Sequence, residues 1–284
     1  MKINSINTDF SGKKIPILMY HSVSCVATPQ FKQFVVSPTL FEEHMAYLYQ
    51  HAYTPVTVTQ LVSAFAQGAS VLPDRPVVIT FDDGFADFFT DALPMLKQYG
   101  FPATLYVPTA FVGGTSRWLQ RERETARPMI TWDQLIEITK SGIECGAHSH
   151  SHPQLDILSN SMAYDEIMLC KQILESHLGQ QITSFAYPFG YYTKTIQQLV
   201  RVAGYTSACA VKHALSSVTT DPFALARRIV KTNTDVDAFA TLLSSRGSLT
   251  MATMYMRART PVWQLVRRSS ALTKQSLKRR MVGA

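Results

Sequence analysis

Several polar residues stand directly after short apolar runs, where a strand would hand them to a loop. His21 follows Ile17-Leu18-Met19-Tyr20, Asp82 and Asp83 follow Val77-Val78-Ile79-Thr80-Phe81, His148 follows Ile143-Glu144-Cys145-Gly146-Ala147, and Tyr187-Pro188 follow Ser184-Phe185-Ala186. One carboxylate and two imidazoles make the three-ligand set of a catalytic metal site that keeps a position open for water. A second carboxylate beside that water can take its proton. Adjacent Asp residues at a strand end point in different directions, so Asp82 and Asp83 offer both roles at once. The i, i+4 spacing of His148 and His152 puts them on one side of a helical turn and directs His150 elsewhere. Alone, Asp82-Asp83-Gly84 is an ordinary turn and the histidine run a surface cluster; together they point to metal-assisted hydrolysis.

Such groups need a rigid frame to meet. Apolar or β-branched runs at 15–20, 76–81, 104–107, 143–145, 183–187 and 207–211 read as strands, with amphipathic helices between them at 131–141 and 162–178. Ser37-Pro38 opens a further helix as an N-cap followed by a first-turn proline. Strands alternating with helices imply a mostly parallel sheet, whose carboxyl ends gather catalytic groups on one face. Residues 113–127, with two glycines and a cluster of charges, read either as a loop near that face or as a structural connection.

The runs ILMYHSV, VITFDDGFADFFTDALPMLKQYGFPATLYVPTAFV, MITWDQLIEITKSGIECGAHSHSHPQLDIL and FAYPFG together resemble the polysaccharide deacetylases with a NodB-homology domain, carbohydrate esterase family 4. The resemblance runs from about residue 15 to about residue 228. It implies an α/β fold, a distorted (β/α) barrel usually of seven strands, and a divalent metal, commonly zinc, with cobalt, manganese or nickel as alternatives. By that resemblance Asp82 is the general base, and Asp83, His148 and His152 are the metal ligands. Two positions depart from the pattern. Relatives of the chitin and peptidoglycan type carry an Arg two residues before the motif proline, where this chain has Ala186. The family's Leu-x-His, whose imidazole serves as general acid, is absent around Phe223-Ala224-Leu225-Ala226-Arg227-Arg228, and the nearest histidine, His213, lies ten residues earlier. His21 is therefore the candidate for proton donor or substrate contact, while Tyr187, Pro188, Phe189 and Gly190 are candidates for the substrate groove. The implied activity is hydrolysis of a carbon–nitrogen bond other than a peptide bond: removal of an N-acetyl or other N-acyl group from an amino sugar, in a glycan or lipid-linked saccharide, during polysaccharide biosynthesis. The alternative is a barrel that binds glycans without hydrolysing them.

With 46% hydrophobic and 17% charged positions over 284 residues, the chain can fill one large core, which excludes disordered, collagen-like and small disulfide-stapled classes. Residues 15–247 are expected to form one catalytic domain, after an extension over 1–14 and before a basic helical extension over 248–284. Cys25, Cys145, Cys170 and Cys209 form no C-x-x-C pair and read as buried reduced thiols. The opening residues lack a leader pattern and no run of about 18 apolar residues occurs, so a cytoplasmic protein is expected, peripheral on the inner face of the membrane at most. Of the 27 basic residues, eight lie from Arg257 onward with no acid among them, and the other 19 face all 20 acidic residues. No recognition motif or aromatic stacking platform accompanies the tail, so a nucleic-acid partner is not expected; an anionic membrane surface is. Deleting residues 257–284 should abolish sedimentation with anionic vesicles at low salt and leave hydrolysis of a soluble substrate nearly unchanged. Full-length protein that ignores such vesicles rejects the membrane role.

Overall fold

Parallel strands covered on both faces require continuous apolar runs, and Pro76-Val77-Val78-Ile79-Thr80-Phe81 is one, buried throughout. The computed structural model describes residues 14–244 apart from Ala69 and His213; the basic tail and all but one residue of the N-terminal extension lie outside the described residues. Its strands are β1 (Ile17–Tyr20), β2 (Ser22–Val23), β3 (Val35–Val36), β4 (Thr54–Pro55), β5 (Pro76–Phe81), β6 (Thr104–Val107), β7 (Glu144–Ala147), β8 (Ser184–Ala186), β9 (Ser207–Val211) and β10 (Leu225–Ile229). Seven pair in the parallel order β1-β10-β9-β8-β7-β6-β5, and β5 pairs back with β1. The sheet therefore closes into the expected seven-stranded (β/α) barrel. Residues 225–229, expected above only to lack the motif histidine, form the strand that seals it against β1.

Helices α1 (Pro38–Gln50), α2 (Val58–Ala66), α3 (Leu93–Tyr99), α4 (Trp132–Lys140), α5 (Asn160–Leu178), α6 (Lys194–Val202) and α7 (Val236–Leu243) surround the barrel. Their starts follow local capping chemistry: the Ser37 hydroxyl accepts from the Leu40 N–H at 3.2 Å, and Thr57 and Thr131 form reciprocal capping boxes with Gln60 and Gln134.

Side chains alternate across the barrel wall. Leu18, Tyr20, Ile79, Phe81, Leu105 and Phe185 pack outward into the main core under the helices. Their neighbours point inward, where the Tyr106 hydroxyl meets Ser184 Oγ at 2.6 Å and Cys209 Sγ at 3.3 Å. Tyr106 fits because residue 146 is glycine; a Cβ there would lie 2.5 Å from its ring. At the amino ends of the strands, Glu144 accepts from the hydroxyls of Thr59 and Thr104 at 2.7 and 3.0 Å. Of the four thiols, Cys145, Cys170 and Cys209 are buried and free, whereas Cys25, expected to be buried, is exposed because it falls in the loop after β2.

One buried histidine belongs to the core rather than to the barrel mouth. His44 on α1 is fully buried, its Nε2–H donating to the Thr234 carbonyl at 2.7 Å and its Nδ1 accepting from the Tyr20 hydroxyl at 3.0 Å. The Phe239 ring stacks on it, centroids 4.1 Å apart. Burial pushes its pKa down from 6.5 to about 4, against smaller upward pulls from the Thr234 carbonyl and Asp235. The unfolded chain binds the proton more tightly, so this contribution to stability is whole above pH 6.5 and is lost as pH falls through about 4. Its size is on the order of 3 kcal/mol. A His44→Gln protein should be less stable at neutral pH yet lose less stability between pH 6.5 and 4 than wild type, read from thermal unfolding midpoints across that range.

Candidate metal centre

Inward parity carries past the strand ends. Thr80 faces the barrel interior and Asp82 continues its row, as His21 continues that of Met19 and His148 that of Gly146. The backbone ladder holds them there: the Asp82 N–H donates to the Tyr20 carbonyl at 3.0 Å and the His148 N–H to the Val107 carbonyl at 3.2 Å. All three open into one cavity of about 250 Å³ at the carboxyl end of the barrel, shared with Asp83 and His152.

Asp83 and His152 arrive by a different device. Asp83 has φ 76°, Gly84 after it 68°, and Ser149 and His152 have φ 61° and 57°. Left-handed backbone costs about 1–2 kcal/mol per non-glycine residue. Four of the six such residues among those described, Phe189 included, lie around this cavity, so backbone strain is concentrated where the side chains converge. The expected helical turn from His148 to His152 is absent. A tight turn closed by the His152 N–H on Ser149 Oγ at 3.1 Å brings the two imidazoles together, and a loop can be both tighter and more strained than a helix. His150 points away, its Nδ1 2.8 Å from Thr109 Oγ1.

The donor atoms form a near-regular triangle. His152 Nε2 lies 3.1 Å from Asp83 Oδ1 and 3.3 Å from His148 Nε2, and His148 Nε2 lies 3.5 Å from Asp83 Oδ1. Ligands about 2.0–2.1 Å from a tetrahedral zinc are separated by about 3.3 Å, so Asp83, His148 and His152 fit such an ion. His148 Nδ1 lies 2.8 Å from the Ala186 carbonyl; a carbonyl only accepts, so Nδ1 carries the proton and the Nε2 lone pair faces the triangle. Burial would raise the Asp83 pKa, yet His152 and His148 hold it far below the carboxylate range. His148 is shifted up: burial disfavours its charge, but Asp82 and Asp83 outweigh that.

Asp82 sits beside the triangle, its Oδ2 3.9 Å from His148 Nε2. Its carboxylate is gripped by Arg227, with Nη1 to Oδ1 at 2.6 Å and Nη2 to Oδ2 at 2.7 Å. Arg227 is wholly buried, also donates to Thr80 Oγ1 at 3.2 Å and lies over the Tyr106 ring at 5.4 Å. Burial alone would raise the Asp82 pKa; the guanidinium and His148 keep it below its ordinary value. The guanidinium beside Asp82 thus comes from β10, and position 186 on β8 is Ala. The signal was present as Leu225-x-Arg227-x-Ile229, an inward row interrupted by one charge.

His21 lines the cavity with Phe34 5.0 Å from its ring. Burial lowers its pKa, partly opposed by Asp83 and Asp82. Of the four groove candidates, Phe189 and Gly190 line the cavity, joined by Tyr191. Tyr187 and Pro188 do not: both are buried, Tyr187 lying on the outward parity of β8 with its hydroxyl donating to the Phe223 carbonyl at 3.0 Å. The segment 113–127 does reach this face. Trp118 lies 5.2 Å from the His152 ring, and Leu119 and Glu122 line the cavity.

Residues 69–208 match the family model described as polysaccharide deacetylase. Over 232 residues the chain is 28% identical to YxkH of Bacillus subtilis, a protein carrying a polysaccharide deacetylase name, covering 82% of this chain and 77% of that one. It is 30% identical over 141 residues to the poly-β-1,6-N-acetyl-D-glucosamine N-deacetylase of Escherichia coli, covering 48% of this chain but only 20% of that protein. Among solved structures, the Streptococcus pyogenes deacetylase PplD in complex with acetate superposes with a TM-score of 0.71 at 25% identity, over 82% of this chain and 99% of that one.

Reconstituted with zinc, the wild-type protein should hold one ion per chain by elemental analysis. His148→Ala, His152→Ala and Asp83→Asn should lose it while keeping the wild-type circular dichroism spectrum; His150→Ala and Asp82→Asn should retain it. Equal loss in Asp82→Asn and Asp83→Asn rejects the division between them.

Proposed function

From the match of residues 69–208 to the polysaccharide deacetylase model, we propose that the chain is a member of that family and hydrolyses the N-acetyl amide of an amino sugar within a glycan, using one divalent cation. The observation that carries this is the donor triangle of Asp83, His148 and His152 with the Arg227-clamped Asp82 beside it. A cation in that triangle would supply positive charge that polarises the acyl carbonyl and acidifies water.

The chain's own groups account for the remaining steps. Asp82 takes a proton from the attacking water. Arg227 occupies one lone pair on each carboxylate oxygen, keeps the group ionised and fixes its direction, leaving further lone pairs to accept. The amides of Gly190 and Tyr191 are engaged by the carbonyls of Tyr187 and Pro188 at 2.8 and 3.3 Å, so neither is assigned to the acyl oxygen. An amine leaves only if protonated, and His21, whose Nδ1 has no hydrogen-bond partner, relays to the nitrogen the proton that Asp82 has taken from the water. The glycan-binding alternative rested on the absent motif Arg and His; the Arg227 clamp on Asp82 speaks against the first of these grounds.

Acetate release from an N-acetylglucosamine pentamer by zinc-reconstituted enzyme tests the activity. His21→Ala should lower kcat by about 10²–10⁴-fold on this amide and by far less on 4-nitrophenyl acetate, whose leaving group needs no proton. Equal losses on both substrates reject the acid role of His21, and no release from any N-acetylated glycan by metal-loaded enzyme rejects the function.

A further inference from the structure

The cavity holds a carboxylate that the chemistry above does not use. Glu122, on the segment between β6 and α4, is half-buried and lines the same cavity as the donor triangle. It lies outside the ligand set, and among the described residues it forms no ion pair. Arg127, on the same segment, is committed elsewhere, donating to Glu124 Oε1 and Asp87 Oδ2, each at 2.9 Å, and the flanking Arg121 and Arg123 are exposed.

Glu122 is also held in place. The Thr28 hydroxyl donates to the Glu122 carbonyl at 2.7 Å, and the Thr28 N–H to Glu124 Oε2 at 2.8 Å. At the base of the segment the Ser116 N–H bonds the Arg127 carbonyl at 3.0 Å and the Gly113 N–H the Ile130 carbonyl at 2.8 Å. An exposed carboxylate on a loose loop would be an ordinary solvated charge. This one belongs to a segment whose backbone is tied down at Thr28, and it lines the same cavity as Asp82 and Asp83, so a cationic guest there is favoured. The aromatic rings on the cavity wall, Phe34, Phe189 and Tyr191, suit the same guest, because ring faces attract ammonium groups. Phe189 is 45% exposed there and takes a φ of 60°.

Resting on the deacetylase reading, we propose that Glu122 is a specificity residue that binds the ammonium of an already deacetylated amino sugar next to the N-acetylated one being cleaved. The product of one turnover thereby becomes part of the preferred substrate of the next, and free amines accumulate in blocks along the glycan rather than at random. The ammonium is bound as an ion pair with no covalent step.

The test compares a fully N-acetylated glucosamine pentamer with the same pentamer bearing one free amine at a defined position. Wild type should show a kcat/KM roughly threefold to tenfold higher on the amine-bearing pentamer, through KM rather than kcat. The preference should fade at about 1 M salt, where the Debye length is about 3 Å. In Glu122→Gln, which keeps the shape and removes the charge, the ratio should collapse toward one, and Glu122→Asp should restore part of it. Hydrolysis by wild type without preference at any amine position, or a preference that survives in Glu122→Gln, overturns the inference and leaves the deacetylase reading intact. Hydrolysis of neither pentamer overturns both.

Discussion

A guanidinium and a carboxylate inside a closed barrel are the most demanding interaction in this molecule. Each charge costs several kcal/mol to take out of water, and only near-ideal pairing offsets that. Arg227 and Asp82 meet the condition with two short, parallel hydrogen bonds, supported by Thr80 and the face of Tyr106. The geometry needs β10 and β5 on either side of β1 in fixed register, with Leu18 opposite both Arg228 and Ile79. Barrel closure and the ionised state of Asp82 are therefore one requirement. The partner residues reflect it: Gly146 gives way to Tyr106, and Tyr106 in turn ties to Ser184 and Cys209.

Around this rigid pair the remaining groups are placed by turns that the backbone resists. Asp83, Ser149, His152 and Phe189 take left-handed conformations, and each is held by packing or hydrogen bonds that the frame supplies. Strands deliver direction cheaply but only along one row per face. Getting two adjacent carboxylates and two imidazoles to converge needs residues that leave that row, and strained turns at the barrel rim provide them.

Much of this was legible in the sequence. The runs at 76–81, 104–107 and 207–211 coincide with β5, β6 and β9, because buried parallel strands leave a continuous apolar signature bounded by turn residues. Asp82, Asp83, His148 and His152 could be named because their combination past two strand ends resembles a known family, whereas singly each motif reads as a turn or a surface cluster. What stayed hidden was of two kinds. β10 reads as Leu-Ala-Arg-Arg-Ile, and two arginines disguise a strand whose charges are satisfied only by tertiary partners, Asp82 for one and the carboxyl end of α7 for the other. Tyr187 was misplaced by a single residue of parity: it lies on the outward row of β8, so a motif position beside the site is still core. The i, i+4 histidine spacing has two solutions, a helical turn and a strained loop, and spacing alone does not choose between them.

The barrel's strand order also bears on synthesis. A chain leaves the ribosome amino end first, so β1 with His21, then β5 with Asp82 and Asp83, then His148 and His152 all emerge before β10. Until Arg227 follows, β1 lacks one of its two neighbours and Asp82 lacks its counter-charge. A nascent chain can hold Asp83, His148 and His152 and still leave Asp82 without its guanidinium. Contacts this distant along the chain also form slowly, so the pairing of Arg227 with Asp82 waits on the carboxyl-terminal part of the barrel.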